Sequence, residues 1–149
     1  MDDSQAVLRA SRAMLAVVAR SMAPVLDELS LPQFRVLVLL ETAGPARVGL
    51  LAERLGVLPS TFSRVLDRLE SAGWVARAPS ADSRREVLVT ITERGSRLVQ
   101  EVSAKRQTEL DEVLRAIPEA DRHRVVEALT AFADAAGEPA AKDLLILGM

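Results

Sequence analysis

Two short stretches carry the side chains that could do chemistry. The first is Pro59-Ser60-Thr61-Phe62-Ser63-Arg64-Val65-Leu66-Asp67-Arg68-Leu69. Wound as a helix, it places Phe62, Val65, Leu66 and Leu69 on one side, at i, i+3, i+4 and i+7. Ser60, Ser63, Arg64, Asp67 and Ser71 fall opposite, flanked by Thr61 and Arg68. One face suits a core. The other mixes small hydroxyls, which let a backbone approach a surface closely, with guanidinium forks that match guanine O6/N7 or a phosphate. Such a face serves recognition rather than bond breaking. An ordinary amphipathic helix with a solvated face has the same pattern, so the helix alone does not decide its use.

The second stretch is Asp82-Ser83-Arg84-Arg85, inside the polar run 78–85. An arginine at a hairpin tip can enter a narrow minor groove, where negative potential concentrates. Asp82, two residues before Arg84, could hold that guanidinium in place. Alternatively, Asp82 forms only an Asx-turn and both arginines are solvated.

Composition removes most competing chemistries. The 149 residues include no cysteine, so disulfides, thiol sensing and cysteine nucleophiles are excluded. His123 is the single histidine, which excludes Cys/His zinc clusters and argues against a Ser-His-Asp triad. The sequence holds no phosphate-binding glycine loop and no nucleophile–base pair. The expectation is a protein that is not an enzyme and takes no cofactor and no metal. Net charge is -2, but residues 47–85 carry seven arginines against four acids, a local +3 inside a chain whose remainder sums to -5. A basic middle can face nucleic acid whatever the global balance. The apolar runs are too short to span a bilayer, and Met1-Asp2-Asp3 is acidic, unlike a signal peptide. The expected location is therefore cytoplasmic, with no membrane partner.

The elements that must position these side chains read mostly as helices. A long first helix is expected from Ser4 to about Glu28, capped by Asp2, Asp3 or Ser4. Its many apolar residues call for a second partner surface. Ser30 and Gln33 form a capping box for a second helix running to about Thr42, with Leu29 and Phe34 as its hydrophobic staple. A third helix spans Val48 to Leu55, closed by Gly56, and a fourth spans Pro59 to Ala72, closed by Gly73. Two strands follow, Trp74–Arg77 and Glu86–Ile91. A fifth helix from Thr92 to Ile117 stops at Pro118, and at roughly 35–40 Å it is too long to pack only on its own small core. A sixth runs from about Glu119 to Ala136. Helix, short turn, helix and hairpin together make a winged helix-turn-helix.

In combination, three stretches resemble the MarR (multiple antibiotic resistance regulator) family of bacterial repressors. They are Leu51-Ala52-Glu53-Arg54-Leu55-Gly56-Val57, Ser60 through Val75, and Asp82-Ser83-Arg84-Arg85-Glu86 through Gly95. Asp82-x-Arg84 matches that family's wing motif. The resemblance implies a homodimer formed by the first, fifth and sixth helices. It implies a pseudo-palindromic operator, with the fourth helix in the major groove and the wing in the minor groove. It also implies release by a small anion, often phenolic, bound between the two lobes. Where the family usually has Ser or Thr before Pro59, this chain has Leu58, which cannot cap. That leaves the Ser60 and Thr61 amides free to meet a phosphate.

The expected fold class is thus mainly α with a small β-hairpin, a winged helix-turn-helix DNA-binding lobe plus a helical dimerisation lobe. Residues 1–149 form one MarR-like domain. Within it, residues 30–91 make the DNA-binding lobe, 4–28 and 92–136 the dimerisation helices, and 138–149 an apolar tail. DNA-binding residues are expected at Pro59, Ser60, Thr61, Ser63, Arg64, Arg68, Asp82, Arg84 and Arg85. Met14, Arg20, Met22 and Phe34 are candidates to line the cleft for a small anionic or aromatic effector, although core or interface packing suits the three apolar ones as well. Arg20 could equally pair with Asp27, Glu28 or an acid of a second subunit. Trp74 is expected to pack under the wing, His123 to lie on the surface, and Leu144–Leu147 to pack on the dimerisation lobe. The expected partners are double-stranded operator DNA, a second copy of the chain and the effector. The alternative is a winged-helix module for protein–protein contact without sequence-specific DNA binding.

Overall fold

The computed structural model describes residues 2–83 and 85–138. The chain is mainly helical, with a small three-stranded antiparallel sheet. Helix α1 (Asp3–Met22) starts at Asp2, which caps no helix amide with its side chain and instead accepts a 2.6 Å bond from Ser4 Oγ. It ends six residues earlier than its apolar pattern suggests. Pro24 has no N–H, and its ring collides with the carbonyl four residues back. Residues 23–28 are therefore turns, with the Val25 and Leu26 amides both donating to the Met22 carbonyl.

Helix α2 (Leu31–Ala43) begins as its sequence dictates. The Gln33 amide donates to Ser30 Oγ at 3.3 Å, and the Ser30 amide donates to Gln33 Oε1 at 2.9 Å. Leu29 and Phe34 are both buried, as a hydrophobic staple requires. Strand β1 (Ala46–Arg47), helix α3 (Val48–Leu55) and helix α4 (Pro59–Ser71) follow. Strands β2 (Val75–Pro79) and β3 (Val87–Ile91) form the hairpin. The sheet order is β1-β3-β2, with Ala46 opposite Val89, Val75 opposite Ile91, and Pro79 opposite Val87. Two strands were expected and three are present. β1 is two residues long, too short to show a period, and it follows Pro45, which suits only an edge.

Helix α5 (Glu93–Ala116) and helix α6 (Glu119–Ala135) complete the chain as described. The tail expected to pack on the dimerisation lobe, Leu144–Leu147, lies outside the described residues. Among the described residues, no helix is long and apolar enough to cross a membrane.

Two compact units result. Of the described residues, one contains 2–28 together with Gln100–Ala136; the other contains Leu29–Val99 and 137–138. α5 begins in the second unit and continues into the first. The second unit has a dense core of Phe34, Val36, Leu37, Leu40, Leu51, Phe62, Leu66, Leu69, Trp74, Val75 and Val89, all buried. The first unit leaves Val7, Leu8, Leu15, Val113, Val126, Leu129 and Phe132 exposed, and α6 has no buried residue at all. Inside it, Arg20 Nε donates to Glu109 Oε2 at 2.7 Å, an acid of its own chain that the sequence did not single out. Arg106 Nε donates to the buried Ser21 Oγ at 3.1 Å, and burial lowers the Arg106 pKa from the ordinary guanidinium value.

The hairpin is joined to α5 at a close approach. Trp74 is buried, and the Arg94 guanidinium stacks 3.8 Å from its ring centroid. Thr92 Oγ1 donates to the Gly73 carbonyl at 2.7 Å and accepts from the Gly95 amide at 3.2 Å. A Cβ on Gly95 would stand 2.5 Å from the Trp74 carbonyl oxygen and 2.8 Å from Ile91 Cγ1. Backbone sets the first of those contacts, so it cannot yield cheaply. Gly95→Ala is expected to cost about 1–3 kcal/mol, the usual cost of forcing atoms into a packed site. Ser30→Ala is expected to cost about 1 kcal/mol through loss of the cap. Thermal denaturation followed by circular dichroism checks both; wild-type melting curves would contradict them.

Candidate nucleic-acid interface

The turn between α3 and α4 is three residues, Gly56-Val57-Leu58. Gly56 adopts φ 64°, ψ 31°, the left-handed conformation that closes α3, with its amide donating to Glu53 O and the Val57 amide to Ala52 O. Leu58 then leads extended into α4 with Pro59 as its first residue, and its side chain is 71% exposed and caps nothing. The first amides of a helix have no intrahelical acceptor. Those of Ser60 and Thr61 therefore open at the end of α4 with no capping side chain.

The two faces of α4 separate as the wheel requires. Phe62, Leu66 and Leu69 are at most 1% exposed, Val65 is half-buried, and the helix packs against α3 and β2. Pro59, Ser60, Thr61, Ser63, Arg64 and Arg68 are all exposed. Neither Arg64 nor Arg68 has an ion-pair partner among the described residues. Asp67, read as part of the same face, turns to the wing: Arg77 on β2 donates to Asp67 Oδ1, and its Nε lies 3.2 Å from Glu70 Oε2. Arg77 is thus held inside the unit and is not an open cation.

At the wing, the Ser80 amide donates to the Glu86 carbonyl at 2.8 Å and closes the hairpin. Serine hydroxyls shape the tip: the Asp82 amide donates to Ser80 Oγ and the Arg85 amide to Ser83 Oγ, each at 3.3 Å. Asp82 and Arg85 are exposed. Arg84 lies outside the described residues, and with it the grip expected between Asp82 and Arg84. At the root of β3, Arg47 Nε pairs with Glu86 Oε2 at 3.0 Å. A shallow cleft beside this pair is lined by Val48, Leu50, Glu53, Arg85 and Val87. The Arg47–Glu86 and Arg77–Asp67/Glu70 pairs escaped the sequence reading. Both bridge different elements, and no helical spacing announces such pairs.

The effector candidates divide between the two units. Met14, Arg20 and Met22 stand on α1 and Phe34 on α2. Met22 and Phe34 are buried, Met14 is exposed, and Arg20 is engaged by Glu109. Trp74 is buried beneath the hairpin, and the His123 side chain is 83% exposed beside Glu127. Among the described residues, no cluster of three or more His, Asp or Glu could hold a metal ion.

A helix-turn-helix with a hairpin wing, carrying hydroxyls and free arginines on the outer face of its second helix, defines the class: a winged helix-turn-helix protein. Comparison with known proteins gives the family. The model of the MarR family matches residues 29–87. The crystal structure of RV1404 from Mycobacterium tuberculosis is 43% identical, with a TM-score of 0.85, covering 93% of this chain and 94% of that one. The HTH-type transcriptional repressor MdtR of Bacillus subtilis is 30% identical over 104 residues, 70% of this chain and 67% of that protein. YfiV of the same organism, named an uncharacterized HTH-type transcriptional regulator, is 33% identical over 103 residues, and the match spans 69% of this chain and 64% of YfiV. The chain belongs to the MarR family of HTH-type transcriptional regulators.

Leu58 offers a direct test of the open helix end. Its backbone, φ -64° and ψ 141°, already suits an N-cap. Leu58→Ser is therefore expected to stabilise the protein by about 0.5–2 kcal/mol. A melting temperature that does not rise would show that the α4 amides are already satisfied.

Proposed function

We propose that the protein is a dimeric transcriptional repressor that binds a pseudo-palindromic operator, with α4 in the major groove and the wing in the minor groove. The observation that carries this reading is the outer face of α4, where Arg64 and Arg68 are exposed without an ion-pair partner beside Ser60, Thr61 and Ser63. Small residues near the helix start allow close approach, and an unpaired guanidinium has no ion pair to break before it meets a base or phosphate. The uncapped amides of Ser60 and Thr61 suit a phosphate oxygen. Arg84, Arg85 and Asp82 are assigned to the minor groove as the wing tip.

The first unit supports the dimer. Its exposed Val7, Leu8, Leu15, Val113, Val126, Leu129 and Phe132 make more apolar surface than a monomer usually leaves in water. A two-fold dimer would present two copies of α4 to two half-sites. The site of action is the cytoplasm. A small anionic or aromatic effector is part of the same reading, with Arg20 on α1 as its candidate cation.

Binding titrations against retained genomic fragments and scrambled DNA test the assignment. Affinity is expected to fall steeply with salt, as counterion release requires. Arg64→Ala is expected to cost about 1–3 kcal/mol per half-site and to relax preference at one or two base pairs. Arg84→Ala is expected to weaken all sequences evenly and flatten the salt dependence, and Asp82→Ala to do so more mildly. Wild-type affinity and salt slope in folded Arg64 and Arg84 variants would refute it, and salt-independent behaviour would favour a protein–protein module. Light scattering is expected to give twice the chain mass at micromolar concentration; a folded monomer there would overturn the dimer.

A further inference from the structure

Arg77 belongs to the wing by sequence but to α4 by contact. Its side chain is only 27% exposed, whereas those of Asp67 and Glu70 are 63% and 43% exposed. Its Nε is buried and has no hydrogen-bond acceptor, although Glu70 Oε2 lies 3.2 Å away. Nearby opposite charge favours this half-buried placement of the guanidinium. Asp67 and Glu70 supply it, three residues apart and therefore on one side of α4. The planar fork of an arginine engages two carboxylates in a fixed geometry that an ammonium group cannot reproduce.

We propose that Arg77 is a positioning residue that sets the angle between α4 and the wing, and that Asp67 and Glu70 promote DNA binding by holding it. This rests on the DNA-binding reading above. Ion pairs of this exposure stabilise a fold little. Their weight here is geometric, because helix and wing must meet their grooves at the same time, and an error in the angle forfeits one contact. A simple charge argument predicts the reverse for the two acids. Carboxylates beside phosphates repel them, so neutralising Asp67 and Glu70 should tighten binding if charge is all they contribute.

The sign of that effect is the test. The full chain carrying Asp67→Asn with Glu70→Gln is titrated against the genomic fragment that the wild type retains most strongly, at several salt concentrations. Binding is expected to weaken about tenfold, the scale of coupling within one ion-pair network, with an unchanged salt slope. Arg77→Lys, which keeps the charge, is expected to weaken it similarly. Adding Arg77→Ala to the two acid substitutions is expected to cost nothing further. Tighter or unchanged binding by the acid variant, or wild-type affinity in Arg77→Lys, overturns the proposal. Hydrogen exchange without DNA gives an independent readout. Amides of β2 and β3 are expected to exchange faster in the acid variant while the melting temperature holds, and wild-type exchange rates overturn the clamp. If the wild type prefers no fragment while exchange responds, the clamp stands and the DNA reading falls.

Discussion

The arrangement depends on the burial of one helix face. Phe62, Leu66 and Leu69 are removed from water almost completely, and each such side chain stabilises the fold by about 1.5–3 kcal/mol. Turning α4 by one residue would bring these groups out and carry charged or hydroxyl side chains in. The core therefore fixes which residues face outward. Ser60, Ser63, Arg64 and Arg68 are presented because their neighbours are held, not because anything holds them. The wing obeys a similar constraint at its root. Gly95 lets α5 start hard against the Trp74 carbonyl, and Thr92 and Arg94 tie the start of β2 to the start of α5.

The two units contrast in how completely they satisfy themselves. The winged unit closes its core with aliphatic and aromatic side chains and ties its elements with ion pairs such as Arg47–Glu86 and Arg77 with Asp67 and Glu70. The helical unit keeps Val113, Val126, Leu129 and Phe132 in water. A stable fold rarely leaves that much apolar surface open without a use for it, and this is the surface the proposed dimer would cover. The proposed recognition and assembly surfaces thus fall in separate parts of the chain.

Local rules make much of this legible in the sequence. The Ser30–Gln33 capping box, the Leu29–Phe34 staple, the bounds of α3 and the left-handed Gly56 all depend on residues within one turn of each other. So did the two faces of α4. The end of α1 was legible too, because Pro24 is a helix breaker, but the apolar pattern through Val25 and Leu26 outweighed it. What sequence did not reveal was long-range. β1 is a strand only because Val89 and Leu88 lie alongside it. Glu109 reaches Arg20 across 89 residues of chain. Arg77 looked like one more basic residue of a basic segment until β2 placed it against α4. The role of Asp67 changed for the same reason, from a member of an outer face to half of a clamp.

The central claim is that a pair of α4 helices and wings engages DNA as a two-fold unit, and hydroxyl-radical footprinting on a retained genomic fragment tests it most directly. Two protected windows are expected on one face of the duplex, centred about one helical turn or a whole multiple of it apart, each combining a major-groove gap with an adjacent protected minor groove. A folded protein that leaves the cleavage ladder unchanged at low salt, or protects a single window, would contradict it.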